Sequence, residues 1–119
     1  MKDSHVESKV RLEHILKAIE DIEAFVQNES LVSFCQNDIL NNAVLYNFTI
    51  MGEAIIHVES EKLAKYQYPW YKVRSFRNMI AHEYFNIKLP AVWAIINNDL
   101  PELKILVLTI LEKEFLNKL

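Results

Sequence analysis

Apolar residues recur along most of the chain with the spacing of an amphipathic helix. The first apolar stripe consists of Leu12, Ile15, Leu16, Ile19, Ile22 and Val26. This 3.6-residue period predicts a first helix over about residues 7–27, with its charged side chains facing outward. Ser4 and Glu7 have the three-residue spacing of a capping box, which predicts the helix start.

A second apolar stripe predicts a longer helix in the middle of the chain. Its members lie three or four residues apart and are Leu40, Val44, Phe48, Met51, Ile55 and Val58. Before it, residues 28–30 predict a turn, and residues 31–36 predict at most one short helical turn. Asn37 and Asp38 are residue types that cap helices, so we expect this helix from about Ile39 to Lys65.

Gly52 and Glu53 stand out within the second predicted helix. Gly52 is the only glycine of the chain, and a glycine inside a helix costs about 1 kcal/mol relative to alanine. Close approach of a neighbouring helix would explain it. Glu53 has two interpretations: it is an ordinary solvated carboxylate, or it orients a group on a neighbouring helix.

Prolines mark the later helices. Pro69 suits the start of a helix that we predict over residues 70–81. A further apolar stripe begins near residue 89 and keeps one phase across Pro101. Either one helix is kinked at this proline, or Asp99 caps a new helix that has Pro101 in its first turn. We favour two roughly collinear helices, over residues 89–98 and 100–117.

The fold class follows from these elements and from the composition. No stretch keeps the alternation of a strand, and one glycine and three prolines leave little punctuation for tight turns. The 119 residues, 51% of them hydrophobic, suit one domain with a sizeable core. The sequence therefore predicts a single all-α domain over residues 1–119, an up-and-down bundle of four to five helices.

Several features predict a cytoplasmic protein that does not contact membranes. No run of 18 apolar residues is present, and the N-terminus lacks the apolar region of a signal peptide. Cys35 is the single cysteine, so no disulfide within the chain is possible and a reducing compartment is expected.

The charge is distributed unevenly. The net charge is -3, yet residues 60–88 contain six basic and two acidic residues, whereas the rest contains seven and fourteen. A polyanion would be drawn to this segment and repelled elsewhere. The alternative is an ordinary solvated loop.

Four chemically capable side chains lie close together near the end of the third predicted helix. They are Arg77, Asn78, His82 and Tyr84, and Arg74 lies one turn before Arg77. On a helix, Arg77 and Tyr84 share one face. Asn78 and His82, at i and i+4, are neighbours on an adjacent face.

The spacing of Arg77, His82 and Tyr84, R-x4-H-x-Y, resembles the signature of the HEPN superfamily and of its HepT-like toxin branch. The flanking residues agree with this resemblance, which covers nearly the whole chain. They are Pro69-Trp70, Tyr84-Phe85, Val92-Trp93, the stretch 98–103, and residues 50–54, which resemble the family's second helix.

The resemblance implies a toxin of a type II toxin–antitoxin system that acts as a metal-independent endoribonuclease and needs no cofactor. It implies RNA as substrate and a homodimer in which both motifs line one cleft. It also implies an MntA-like nucleotidyltransferase antitoxin that transfers AMP to the motif tyrosine, here Tyr84.

The implied roles agree with the chemistry of RNA cleavage. RNA carries its own nucleophile, the 2′-hydroxyl, so a site needs a proton acceptor and cations for the phosphoryl charge. His82 is the candidate acid and base, and Arg77 is the candidate bidentate clamp on the phosphate. Asn78 would hold His82 or donate to phosphate. Tyr84 would stack on a base or donate from its hydroxyl.

The remaining candidates support that site. Lys72 and Arg74 are the predicted RNA-binding cations, and Glu53 would orient Arg77. Two alternatives stay open. His82 caps a helix end and Arg77 pairs with Glu53 for structural reasons only, or the chain is a non-catalytic module that binds nucleotides or a protein.

Overall fold

The chain folds into a bundle of helices. The structure, a computed structural model, describes residues 3–83 and 86–116, with the backbone alone at residues 81–83 and 116. The helices are α1 (Ser4–Val26), α2 (Leu31–Gln36), α3 (Asp38–Ile55), α4 (Ser60–Ala64), α5 (Trp70–Glu83), α6 (Leu89–Asn98) and α7 (Leu100–Leu111), followed by a π-helical segment (Glu112–Leu116). These ranges contain no strand, which confirms the predicted all-α class. Five of the helices have ten or more residues, as the predicted bundle requires.

The start of α1 differs from the prediction. Asp3, not a box of Ser4 and Glu7, caps the helix, because its Oδ1 accepts from the backbone N–H of His5 at 2.9 Å. The Ser4 hydroxyl donates instead to Oε2 of Glu59 at 2.7 Å. The predicted capping box is therefore wrong, and this hydroxyl ties α1 to the residue that precedes α4.

The second predicted helix is shorter than expected. It was predicted to continue to Lys65, but α3 ends at Ile55 and α4 is a separate helix. Val58 turns into the core, where it is 5% exposed. The backbone N–H of Glu59 donates to the hydroxyl of Ser8 at 2.9 Å. The helix is therefore interrupted where the chain contacts α1. Residues 56–59, between α3 and α4, contain no glycine or proline.

Other predicted boundaries are confirmed. Asn37 caps α3, since its side-chain oxygen accepts from the N–H of Leu40 at 3.0 Å. α5 begins at Trp70, and α6 and α7 are separate helices that meet at Asp99.

The predicted end of the last helix is wrong. It was predicted to continue to residue 117, but α7 ends at Leu111 and a π-helical segment follows.

Helix α3 lies at the centre of the bundle and packs against both α1 and α5. The side chains that are completely buried include Leu12, Ile15, Ile19 and Ile22 of α1, Val44, Phe48 and Met51 of α3, and Val107 and Ile110 of α7. The rings of Phe48 and Phe76 meet edge to face at 4.9 Å, which joins α3 to α5. In the described ranges, no helix combines the length and the apolar character that crossing a membrane requires.

The aromatic loop before α5 is a packing element. The indole N–H of Trp70 lies within hydrogen-bonding distance of the carbonyls of Leu63, at 3.0 Å, and Tyr66, at 3.1 Å. The Tyr66 hydroxyl donates to Glu114 at 3.0 Å. Burial, and then the Glu114 carboxylate, raise the pKa of Tyr66 above its ordinary value. These contacts fix where α5 begins.

Candidate active site

Helices α3 and α5 come into close contact at Gly52 and Arg77. A Cβ atom on Gly52 would lie 2.6 Å from the backbone nitrogen of Arg77 and 2.8 Å from its Cβ. Non-bonded heavy atoms at such distances overlap, so only glycine permits this crossing. The expected close approach of a neighbouring helix is confirmed. The residue of α5 that lies against Gly52 is the motif arginine, Arg77.

The Arg77 side chain contacts the residue next to this glycine. Its Nε lies 3.0 Å from Oε1 of Glu53, and both side chains are about half exposed, at 51% and 48%. Exposed ion pairs contribute about 0–1 kcal/mol, so the pair affects the direction of the guanidinium more than the stability. A carboxylate at Nε leaves the opposite edge, formed by the two terminal nitrogens, able to receive a phosphate.

The His57 side chain contacts the same carboxylate. Its Nε2 lies 3.6 Å from Oε2 of Glu53, the oxygen that does not contact Arg77. The sequence interpretation did not select His57. The signal was available, because His57 follows Glu53 by four residues, the spacing at which helical side chains are neighbours.

The basic segment is less positive than its composition indicates. Three of its bases pair with carboxylates outside the segment: Lys62 with Glu59 at 2.6 Å, Lys65 with Glu114 at 3.0 Å, and Arg77 with Glu53 at 3.0 Å. Lys72 and Arg74 are exposed on α5, and Lys88 is exposed just before α6. Among the side chains that the structure describes, none of these three has an ion-pair partner. Two of these three bases therefore lie on α5, the helix that carries Arg77.

The other motif residues are placed only in part. α5 is continuous from Trp70 to Glu83, so Asn78 and His82 lie one turn apart on it, as predicted. The Asn78 side chain is exposed. The side chain of His82 and the whole of Tyr84 lie outside the described residues, so their contacts stay predictions. Among the described residues, no group of three His, Cys, Asp or Glu side chains is arranged to hold a metal ion.

An apolar groove between α1 and α3 borders the site. One part of it, about 310 Å³, is lined by Glu53 together with His14 and Ile50. His14 and Ile50 also line the neighbouring part, about 520 Å³, which continues to Phe25 and Tyr46. His14 is exposed.

The sequence was compared with known protein families and proteins. The family model described as "Ribonuclease HepT-like" matches residues 15–110, a range that includes Gly52, Glu53 and the whole R-x4-H-x-Y motif. The "Probable ribonuclease HepT" of Thermococcus cleftensis is 31% identical over 105 residues, which cover 87% of this chain and 93% of that protein.

Two further relatives extend this likeness. A Caldanaerobacter subterraneus protein named "Putative RNase" is 33% identical over 104 residues, covering 87% of this chain and 93% of the relative. A Methanocaldococcus jannaschii protein named "Gamma-glutamylcyclotransferase and putative RNase" is 33% identical over 111 residues, 92% of this chain. The chain spans only 50% of that protein's length. No solved structure matches. From the match over residues 15–110, the chain belongs to the HepT-like ribonuclease family.

Proposed function

We propose that this chain is a metal-independent endoribonuclease, the toxin of a type II toxin–antitoxin system. The observation that carries the proposal is the placement of Arg77. Gly52 brings α3 against its backbone, Glu53 contacts its Nε, and the half-exposed guanidinium lies on the helix that carries Lys72 and Arg74. This arrangement is better suited to binding a phosphodiester than an ordinary protein surface is.

The reaction uses the RNA's own hydroxyl. His82 accepts the proton of the 2′-hydroxyl as its oxygen forms a bond to phosphorus, and the bond from phosphorus to the 5′-oxygen breaks. A proton from an acid then completes the leaving 5′-hydroxyl, and the other product is a 2′,3′-cyclic phosphate. Arg77 stabilises the charge on the phosphoryl oxygens, and Lys72 and Arg74 hold neighbouring phosphates.

A homodimer would supply that acid from the second His82. On α5, Arg77 and His82 are five residues apart, which separates them by about 7.5 Å along the axis and about 140° around it. The two positions therefore lie on different sides of α5. A second chain across a shared cleft would present its own His82 to a phosphate that Arg77 holds.

The α1–α3 groove is the surface we assign to this second copy. It is continuous with the site, because Glu53 and the exposed apolar residues Val6, Val10, Phe25 and Tyr46 belong to the same face. α1 has 23 residues and is about 35 Å long. A face of that length and two helices wide approaches the roughly 800 Å² that each partner buries in a standard interface.

The charges along the groove agree with a protein partner. Arg11 pairs with Glu7 at 2.7 Å and Lys17 pairs with Asp21 at 2.9 Å, so charges of both signs alternate along α1. Such a face neither attracts nor repels RNA strongly, whereas alternating charge allows two copies to meet about a twofold axis.

The second proposed partner is an MntA-like nucleotidyltransferase antitoxin that adds AMP to Tyr84. The phosphate of that adduct would lie near Arg77 and block the cleft. Tyr84→Phe removes only the hydroxyl, so the variant should fold and dimerise normally but accept no AMP from the partner. Mass spectrometry that finds AMP on this variant would place the acceptor at another residue.

The experiment that tests the catalytic proposal is cleavage of RNA in EDTA, with analysis of the product ends. We expect 2′,3′-cyclic phosphate and 5′-hydroxyl ends from the wild-type protein. The Lys9→Ala variant, which changes an exposed ion pair of α1, should give the same ends at the same rate. Binding of RNA without cleavage would favour the rival function, a non-catalytic binding module.

A further inference from the structure

The carboxylate of Glu53 is shared between two basic side chains. Its Oε1 lies 3.0 Å from Nε of Arg77, and its Oε2 lies 3.6 Å from Nε2 of His57. Three side chains therefore form a continuous series that runs from the turn after α3, through the last part of that helix, to α5.

The backbone of His57 is well fixed. Its N–H donates to the carbonyl of Ala54 at 3.0 Å, and the N–H of Val58 donates to Ile55 at 3.2 Å. The side chain of Val58 is buried. The imidazole, 42% exposed, thus extends from a backbone that hydrogen bonds and burial hold in place.

The other basic groups beside Glu53 come from α1. Arg11 and His14 line the groove next to the carboxylate. The Arg11 Nε is held by Glu7 at 2.7 Å. His57 and Arg77 are the groups at ion-pair distance from the two carboxylate oxygens.

We propose that His57 is a positioning residue that fixes the direction of the Arg77 guanidinium through Glu53. A carboxylate with one partner rotates about its terminal bond, which is a broad torsion. A second attraction at its other oxygen restricts that rotation. Since a guanidinium binds phosphate through a planar fork, the direction in which Glu53 holds Arg77 decides how well the fork meets the phosphate.

The contact between His57 and Glu53 is electrostatic. A separation of 3.6 Å is too long for a hydrogen bond, so the attraction acts between the carboxylate and the polar N–H edge of the imidazole. A lysine at the same position should replace it, because its flexible side chain carries a positive charge that can approach the same carboxylate oxygen. His57→Lys is therefore the conservative variant, and His57→Ala removes the contact.

The kinetic test rests on the proposed function, that is, on Arg77 binding the phosphate during RNA cleavage. His57→Ala should lower kcat about tenfold, the usual cost of removing a residue that orients a functional one, with little change in KM. His57→Lys should restore most of kcat. In a Glu53→Gln background, neither change at residue 57 should matter, because the carboxylate that transmits the effect is absent.

Direct binding of RNA by His57 predicts a different pattern. His57→Ala would then raise KM and weaken the salt dependence of binding, and lysine would rescue in the Glu53→Gln background as well. The matched control is Lys9→Ala, which breaks an exposed pair of the same i,i+4 spacing, Lys9 with Glu13 at 3.9 Å. This control should leave kcat and KM unchanged.

A second readout does not depend on cleavage. The Nε–H signal of Arg77 in a ¹H–¹⁵N spectrum should shift in His57→Ala, return in His57→Lys and stay unchanged in Lys9→Ala. An Arg77 signal that is identical in wild type and His57→Ala would overturn the proposal. If the signals change as expected but the wild type cleaves no RNA, the proposed function fails while the positioning contact stands.

Discussion

Arg77 connects the two helices that form the site. Its backbone lies against Gly52, and its side chain contacts Glu53, the next residue of α3. Because the ion pair is half exposed, it contributes little to folding, so its structural effect is mainly to direct the guanidinium. A site that depends on this direction should be more sensitive to the shape of the cation than to its charge.

Arg77→Lys tests that sensitivity. Lysine keeps the positive charge but lacks both the Nε contact with Glu53 and the planar fork. We expect kcat for RNA cleavage to fall about a hundredfold, the usual cost of losing one transition-state donor, while the melting temperature stays within a degree or so of the wild type. A lysine variant with wild-type kcat would show that charge alone suffices.

Glu59 predicts a pH dependence of stability. A hydrogen bond from Lys62, and then one from Ser4, lower the pKa of this carboxyl below its usual value of 4.5. Its contribution to the unfolding free energy is therefore complete above pH 4.5 and is lost as the pH falls through the lowered folded-state pKa. Urea titrations should find Glu59→Gln less stable than wild type at pH 7, with a difference that shrinks below pH 4.5. A difference that is constant with pH would contradict this assignment.

At the scale of elements, local patterns predicted helix positions well but not all helix ends. The stripe from Leu12 to Val26 predicted α1 because a 3.6-residue period depends only on residues that are close together in the sequence. The end of α3 was missed because the segment that follows it is held by a contact of Glu59 with Ser8, which is 51 residues away in the chain. Gly52 indicated that a helix would approach closely, but only the structure identifies Arg77 as the residue it meets.

Gly52→Ala should damage both packing and activity. Alanine favours a helix by about 1 kcal/mol over glycine. Its Cβ would meet the backbone of α5 at 2.6 Å, and overpacking of this kind costs about 1–3 kcal/mol. Since backbone cannot rotate away as a side chain can, we expect a lower melting temperature together with slower cleavage. Equal or higher stability of Gly52→Ala would contradict the close contact.

At the scale of the whole molecule, charge counting along the sequence overestimated the basic surface. Lys65 pairs with Glu114, which lies 49 residues later, and no local pattern predicts such a pairing. His57 differs from this case, because its four-residue spacing from Glu53 is a local pattern that could have been noticed in the sequence. Composition therefore indicated the basic segment, and the structure leaves Lys72 and Arg74 of α5, with Lys88 before α6, as its bases without a carboxylate partner among the described side chains.

The proposed dimer can be tested with one charged substitution on each of two faces. Val10 lines a pocket on α1 that shares His14 with the α1–α3 groove, and it is 40% exposed. Leu108 on α7 is 45% exposed and lines neither. Val10→Asp should convert a dimer into a monomer in sedimentation experiments, because a charge would be buried without a partner. Leu108→Asp should remain dimeric. A wild-type monomer at micromolar concentration, or a dimer that only Leu108→Asp disrupts, would exclude the groove as the interface.

The central claim is that Arg77 and His82 act together on one phosphate. The most direct test measures the RNA cleavage rate in EDTA and the melting temperature for four proteins: wild type, Arg77→Ala, His82→Ala and the double variant. Residues that act as a unit are not additive, so each single variant should lose most of the activity and the double variant should be little worse. All four should melt at nearly the same temperature. Cleavage by His82→Ala at the wild-type rate, or losses that only follow the folded fraction, would contradict the account.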